Sequence, residues 1–126
     1  LADGLRLSAA NAQWAMNLAR LQAERDDYAG AWETLQRSLP YARLQADYRA
    51  FCGTVLNRLN RPSEAIDHYR SALRIKPDEG RWWVGLGIAF ETEGKAAEAR
   101  DAFLRAQSTG SLPPHLATFV EGKLRK

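Results

Sequence analysis

The chain has 126 residues, 45% of them hydrophobic and 26% charged, a balance that builds a core and excludes general disorder. Its net charge of +3 is a mild basic bias, carried mostly by arginine, that permits an acidic partner without demanding nucleic acid. The single cysteine, Cys52, excludes an intramolecular disulfide and a cysteine-built zinc site, and no apolar run reaches the roughly 18 residues of a membrane helix.

In chain order, Leu1–Leu7 reads as the tail of a helix already under way, so the chain reads as a piece of a longer protein, the rest of which could hold a targeting or anchoring segment. Helices follow at about 12–25 and 28–39, 46–59 and 62–75, and 80–93 and 96–108. Asp26-Asp27, Asn60-Arg61-Pro62 and Gly94 separate the two helices of each pair. Pro62 suits a first helical turn, where its missing N–H costs nothing. Asn60 and Gly94 suit the left-handed conformation that ends a helix. Pro40, Pro77 and Pro113-Pro114 close the second helices. No segment alternates as a half-buried strand does, so the fold class is all-α.

The pairs repeat. A shift of 34 aligns Ala31, Ala65 and Ala99, then Trp14, Tyr48 and Trp82, then Leu35, Tyr69 and Phe103. It also aligns Ser38, Ala72 and Ala106, then Leu18, Cys52 and Leu86, then Ala19, Gly53 and Gly87. The small residues predict close helix crossings, with Ala31, Ala65 and Ala99 opposite Ala19, Gly53 and Gly87. Trp14, Tyr48 and Trp82 admit two readings: a ladder for ligand stacking, or rings packed on the second helix of the preceding unit. Repetition in phase favours the second. Trp32 reads as core or as a contact between repeats.

Trp83, Leu86, Gly87, Phe90, Gly94, Ala99, Phe103 and Ala106 together resemble one full tetratricopeptide repeat. The second unit is close, with Gly53, Leu56, Ala65, Tyr69, Ala72 and Pro77 in place and Arg49 where the tryptophan is expected. The first is weaker: Leu18, Ala19, Ala31, Leu35 and Ser38 fit, and Gln22 replaces an aromatic residue. The resemblance implies one domain over 1–126, a right-handed superhelix of antiparallel helix pairs. Its parts are the tail of a preceding helix at 1–9, repeats at 12–45, 46–79 and 80–113, and a capping helix at 114–126. The cap carries an apolar stripe of Leu116, Phe119, Val120 and Leu124.

Arg81–Ala89 and Leu112-Pro113-Pro114 are also similar to the C-terminal repeats of type IV pilus biogenesis proteins of the mannose-sensitive haemagglutinin group. That resemblance implies a bacterial protein facing the periplasm from the inner membrane, held there by an anchor outside this sequence.

The family resemblance implies a non-catalytic scaffold that takes a peptide or partner helix in a concave groove lined by the first helices. The phase assigns to that groove Gln13, Met16, Arg20 and Ala23, then Asp47, Ala50, Thr54, Asn57 and Arg58, then Arg81, Val84, Ile88, Glu91 and Thr92. The set suits a ligand with an apolar anchor and an acidic group, Met16 and Val84–Ile88 supplying the apolar part. A merely solvated face is the bland reading. An RNA-binding helical repeat is the alternative from another class, and interleaved charges such as Glu98-Ala99-Arg100-Asp101 speak against it. Self-association through the end surface at Leu1–Leu7 is a third. No catalytic set, cofactor motif or metal site can be assembled. His68, next to the core Tyr69, reads as a solvated flank residue, His115 as a helix-start residue, and Cys52 as an inert buried thiol.

Overall fold

The computed structural model describes the backbone of residues 2–125 and the side chains of residues 11–125. Among the described residues there are seven α-helices and no strand. They are α1 (Ala2–Glu24), α2 (Tyr28–Ser38), α3 (Ala46–Arg58), α4 (Pro62–Ile75), α5 (Gly80–Thr92), α6 (Ala96–Ser108) and α7 (Pro114–Leu124). A 3-10 turn at Leu39–Tyr41 follows α2, with Pro40 inside it.

The turn inside each pair has one design, set by the backbone. Asp26, Asn60 and Gly94, each 34 residues apart, take positive φ of 61°, 58° and 76°. The N–H after each one donates back to the helix: Asp27 to Gln22 O, Arg61 to Leu56 O and Lys95 to Phe90 O, at 2.8, 2.9 and 2.9 Å. A second bond closes each turn, from Asp26 to Ala23 O, Asn60 to Asn57 O and Gly94 to Glu91 O. These paired bonds satisfy carbonyls that the helix end would otherwise leave open. Asp27 then caps α2, its carboxylate accepting from the Gly30 N–H at 3.0 Å.

Two layers result. α1, α3 and α5 form one, α2, α4 and α6 the other, and each second helix lies against the first helix of the next pair. The core runs between them through Ala31, Leu35, Tyr48, Leu56, Ala65, Tyr69, Phe90, Ala99 and Phe103. α7 covers the exposed end of the third pair, touching α6 and α5. It buries Val120 and sets the Phe119 ring edge-on to Phe103 at 6.1 Å.

Two packing expectations change. The alanines and glycines are all buried, but Gly53 and Gly87 do not face alanine. They face rings: a Cβ on Gly53 would lie 2.7 Å from Tyr69 Cε2, and one on Gly87 2.6 Å from Phe103 Cε1. Tyr69 is also met from the other side, where a Cβ on Gly85 would collide with the same ring. The space glycine leaves is filled by an aromatic side chain.

The second change is at the start. Residues 1–9 were expected to end a separate helix, yet α1 runs without a break from Ala2 to Glu24. The later pairs are divided from what precedes them by Pro40 or Pro77, whereas Ala9-Ala10-Asn11-Ala12 holds no proline and favours helix. The proposed association surface at Leu1–Leu7 lies outside the residues whose side chains are described.

Candidate functional site

The first helices place the predicted groove residues unequally. Gln13, Arg20, Asp47, Thr54, Arg58, Arg81, Glu91 and Thr92 are exposed, while Met16, Ala23, Asn57 and Ile88 are half-buried. Val84 is only 3% exposed, and Ala50 is buried with it. These two do not line an open face. Asn57 on α3 donates its amide to the Gly85 carbonyl on α5 at 3.1 Å, drawing the two first helices together beside Val84. Of the apolar patch expected at Val84–Ile88, only Ile88 stays partly open.

Several polar members are already engaged. Thr54 Oγ1 shares a hydrogen with Tyr69 Oη at 2.7 Å. Gln13 donates to Asn17 Oδ1, Asp47 meets Lys76 at 3.6 Å, and Glu91 meets Lys123 of α7 at 3.0 Å. The Arg58 guanidinium lies over the Tyr28 ring. Arg20 and Arg81 make no ion pair among the described residues.

The aromatic column divides. Tyr48 is fully buried and donates its hydroxyl to the Leu35 carbonyl on α2 at 2.6 Å, so it packs on the preceding second helix as expected. Trp82 is half-buried. Trp14 is 64% exposed, contrary to expectation, because the helix preceding its unit is continuous with its own and folds nothing over it.

His68 is the clearest correction. It is buried, not solvated. Trp32 of α2 meets it edge-on at 5.6 Å, and Arg49 of α3 donates Nε–H to its Nδ1 at 2.9 Å. Burial, and then the Arg49 charge beside it, lower its pKa to about 4 against the weaker pull of Asp67 and Glu64. The imidazole is therefore neutral at pH 7 and accepts at Nδ1. Arg49 also donates to Ser71 Oγ at 2.9 Å, which explains the arginine at the usual tryptophan position: it ties α3 to α4. In the first unit Gln22, likewise replacing an aromatic residue, accepts from the Thr34 hydroxyl. The Cys52 thiol is fully buried and burial pushes its pKa up to about 12, so it stays protonated and unreactive at neutral pH. Among the described residues no cluster of His, Cys, Asp or Glu could hold a metal ion, and no helix is long and apolar enough to cross a membrane.

A hollow of about 650 Å³ opens on the other face, between α4 and α6. Leu73, Pro77, Leu86 and Phe90 form its apolar floor, and Arg70, Arg74, Glu98, Asp101 and Arg105 stand on its walls. The sequence reading missed it. The available signal was a loss of size at the 34-residue shift, where Ile66 follows Trp32 and Ala102 follows His68.

Residues 53–113 match the family model described as tetratricopeptide repeat. A stretch of 43 residues is 46% identical to Superkiller protein 3 of Schizosaccharomyces pombe; it is 34% of this chain and 3% of that protein's length. The fold is similar to that of the Yersinia enterocolitica type III secretion chaperone SycD, solved in complex with a peptide of the translocator YopD. That likeness has a TM-score of 0.82 at 20% identity, over 90% of this chain and 88% of the other. The second tetratricopeptide domain of human RPAP3, solved with the HSP70 peptide SGPTIEEVD, is similar at a TM-score of 0.83 and 17% identity, over 94% and 98% of the two chains.

Proposed function

We propose that this chain, which belongs to the tetratricopeptide repeat family, is a non-catalytic scaffold that binds a peptide or partner helix along the face of α1, α3 and α5. One observation carries the reading: on that face Arg20, Arg58 and Arg81 are exposed and make no ion pair among the described residues. Half-buried Met16 and Ile88 lie on the same face. Cations without an ion pair, Arg58 among them although it lies over the Tyr28 ring, stand beside partly open apolar side chains and suit a ligand with an acidic group and a modest apolar anchor. The peptides bound by SycD and RPAP3 support a peptide as the ligand, and the RPAP3 peptide SGPTIEEVD is acidic. The buried Val84 makes the apolar share smaller than the sequence implied, so the charged share is correspondingly larger.

Arg20→Glu combined with Arg58→Glu abolishes partner capture in a pull-down on this reading. Unchanged capture moves the site to another surface. A role in type IV pilus assembly rests on the sequence resemblance at Arg81–Ala89 and Leu112-Pro113-Pro114 alone, and loss of piliation on deleting the gene tests it.

A further inference from the structure

We propose that the open seam between α4 and α6 is a second docking site, separate from the first-helix face, and that it takes a short acidic peptide bearing a bulky apolar side chain.

Shape comes first. Neither α2 with α4 nor α4 with α6 meets at the backbone, so side chains alone decide whether each seam is closed. The α2–α4 seam is closed by Trp32 and His68. At the α4–α6 seam the same positions hold Ile66 and Ala102, and a hollow of about 650 Å³ remains. What is missing is the volume of an aromatic or large aliphatic side chain, and the floor of Leu73, Pro77, Leu86 and Phe90 would receive one. Past Trp83 and Arg105 the hollow continues into another of about 360 Å³, reaching Ser108 and Thr109. The resulting trough suits an extended chain.

Charge identifies the occupant. The α4 wall carries Arg70 and Arg74, and neither is in an ion pair among the described residues. The α6 wall carries Asp101 and Arg105, which satisfy each other at 3.1 Å, and Glu98. The α4 arginines outnumber the one unpaired carboxylate of the opposite wall, Glu98, although Arg70 also acts on Glu93, so the lining keeps a small net positive charge that favours a carboxylate near Arg74 and Arg70. Two of the three arginines are also held in place. Arg70 lies over the Phe90 ring at 5.4 Å and Arg105 over Trp83 at 5.2 Å, while the Trp83 indole donates to the Pro77 carbonyl at 2.7 Å. Those two have little side-chain freedom left to lose when a ligand arrives.

The test uses a short acetylated and amidated peptide with glutamates flanking a central phenylalanine, and a control with lysine at every glutamate. The indole N–H resonance of Trp83 reports on the trough, and those of Trp14 and Trp82, which do not line it, are the controls. The glutamate peptide shifts Trp83 alone, and the lysine peptide binds far more weakly. Arg70→Glu with Arg74→Glu, two exposed positions, weakens the glutamate peptide by about tenfold or more. Ala102→His, which copies the closed seam, also weakens it without altering the α4 charges. Arg20→Glu with Arg58→Glu leaves it unchanged, so failure here is distinct from failure of the first-helix site. Equal binding of the lysine peptide, or a shift at Trp14 in place of Trp83, overturns the proposal. So does a Trp83 shift that follows protein concentration with no peptide present, since the occupant would then be a second copy of the chain.

Discussion

The seam between α2 and α4 and the seam between α4 and α6 are built on the same 34-residue frame, yet one is filled and the other is open. In the first, Trp32 and His68 meet across the gap while Arg49 reaches His68 and Ser71 from below. In the second, the corresponding positions hold Ile66, Ala102, Trp83 and Arg105. There the large ring comes from the floor, under an arginine, and the gap above it stays empty. The backbone of a repeat protein thus fixes where seams occur but not whether they are sealed. Sealing is decided by side chains one position away from those that define the repeat, as Trp32 is from Ala31 and His68 from Tyr69.

The largest expected effect comes from opening the sealed seam. Trp32→Ala removes a buried ring and costs about 3–5 kcal/mol, measured as the urea unfolding free energy. A loss under half of that would mean that the first seam can collapse on itself. Next, Ala65→Leu overfills the closed interior between α3 and α4 and costs about 1–3 kcal/mol, read in a thermal melt. Ala65 has no accessible surface, whereas Ala99 borders a hollow of about 530 Å³ beside α7. Ala99→Leu should therefore cost less than Ala65→Leu, and the reverse order would contradict this difference between the pairs.

His68 adds a dependence on pH that the open seam lacks. Its folded pKa, about 4, is below the ordinary 6.5, so the unfolded chain binds the extra proton first. The stability tied to neutral His68 is complete above pH 6.5, declines as the pH falls from there, and is lost by about pH 4. Urea midpoints at pH 7, 5.5 and 4 show that decline in the native chain, and His68→Leu flattens it over the same range. The smallest effect is at the open seam: Ala102→His adds a ring where there is room for it and changes stability by less than about 1.5 kcal/mol. A larger loss would show that the hollow is not available to a side chain of that size.

Much of the fold was legible because its punctuation is carried by single residues. Asn60, Gly94 and Pro62 mark turns through backbone chemistry that does not depend on tertiary context, and the predicted helices lie within one or two residues of the observed ones from Tyr28 onward. The failures share a cause. His68 sits on a flank of its helix that Trp32 of the neighbouring pair covers, and Val84 is buried although the phase of its helix points it outward. A helical period reports which side of a helix faces its own partner and is silent about the next repeat. Trp14 is the converse, a residue with the phase of a contact and no neighbour folded over it. Of the first-helix face, the exposed arginines were legible. The trough was not, since it is defined by volume absent between units.

Tyr69 has a consequence for how the molecule comes apart. Its ring sits between Gly53 of its own pair and Gly85 of the next, and its hydroxyl is held by Thr54. A residue shared in this way couples the melting of two repeats, because the third pair cannot swing away without uncovering the ring that also fills the second. Residues 46–108 should then open as one cooperative block in native-state hydrogen exchange, rather than fraying pair by pair. The first pair is tied to the second differently, through Trp32 on His68 and the Tyr48 hydroxyl on the Leu35 carbonyl.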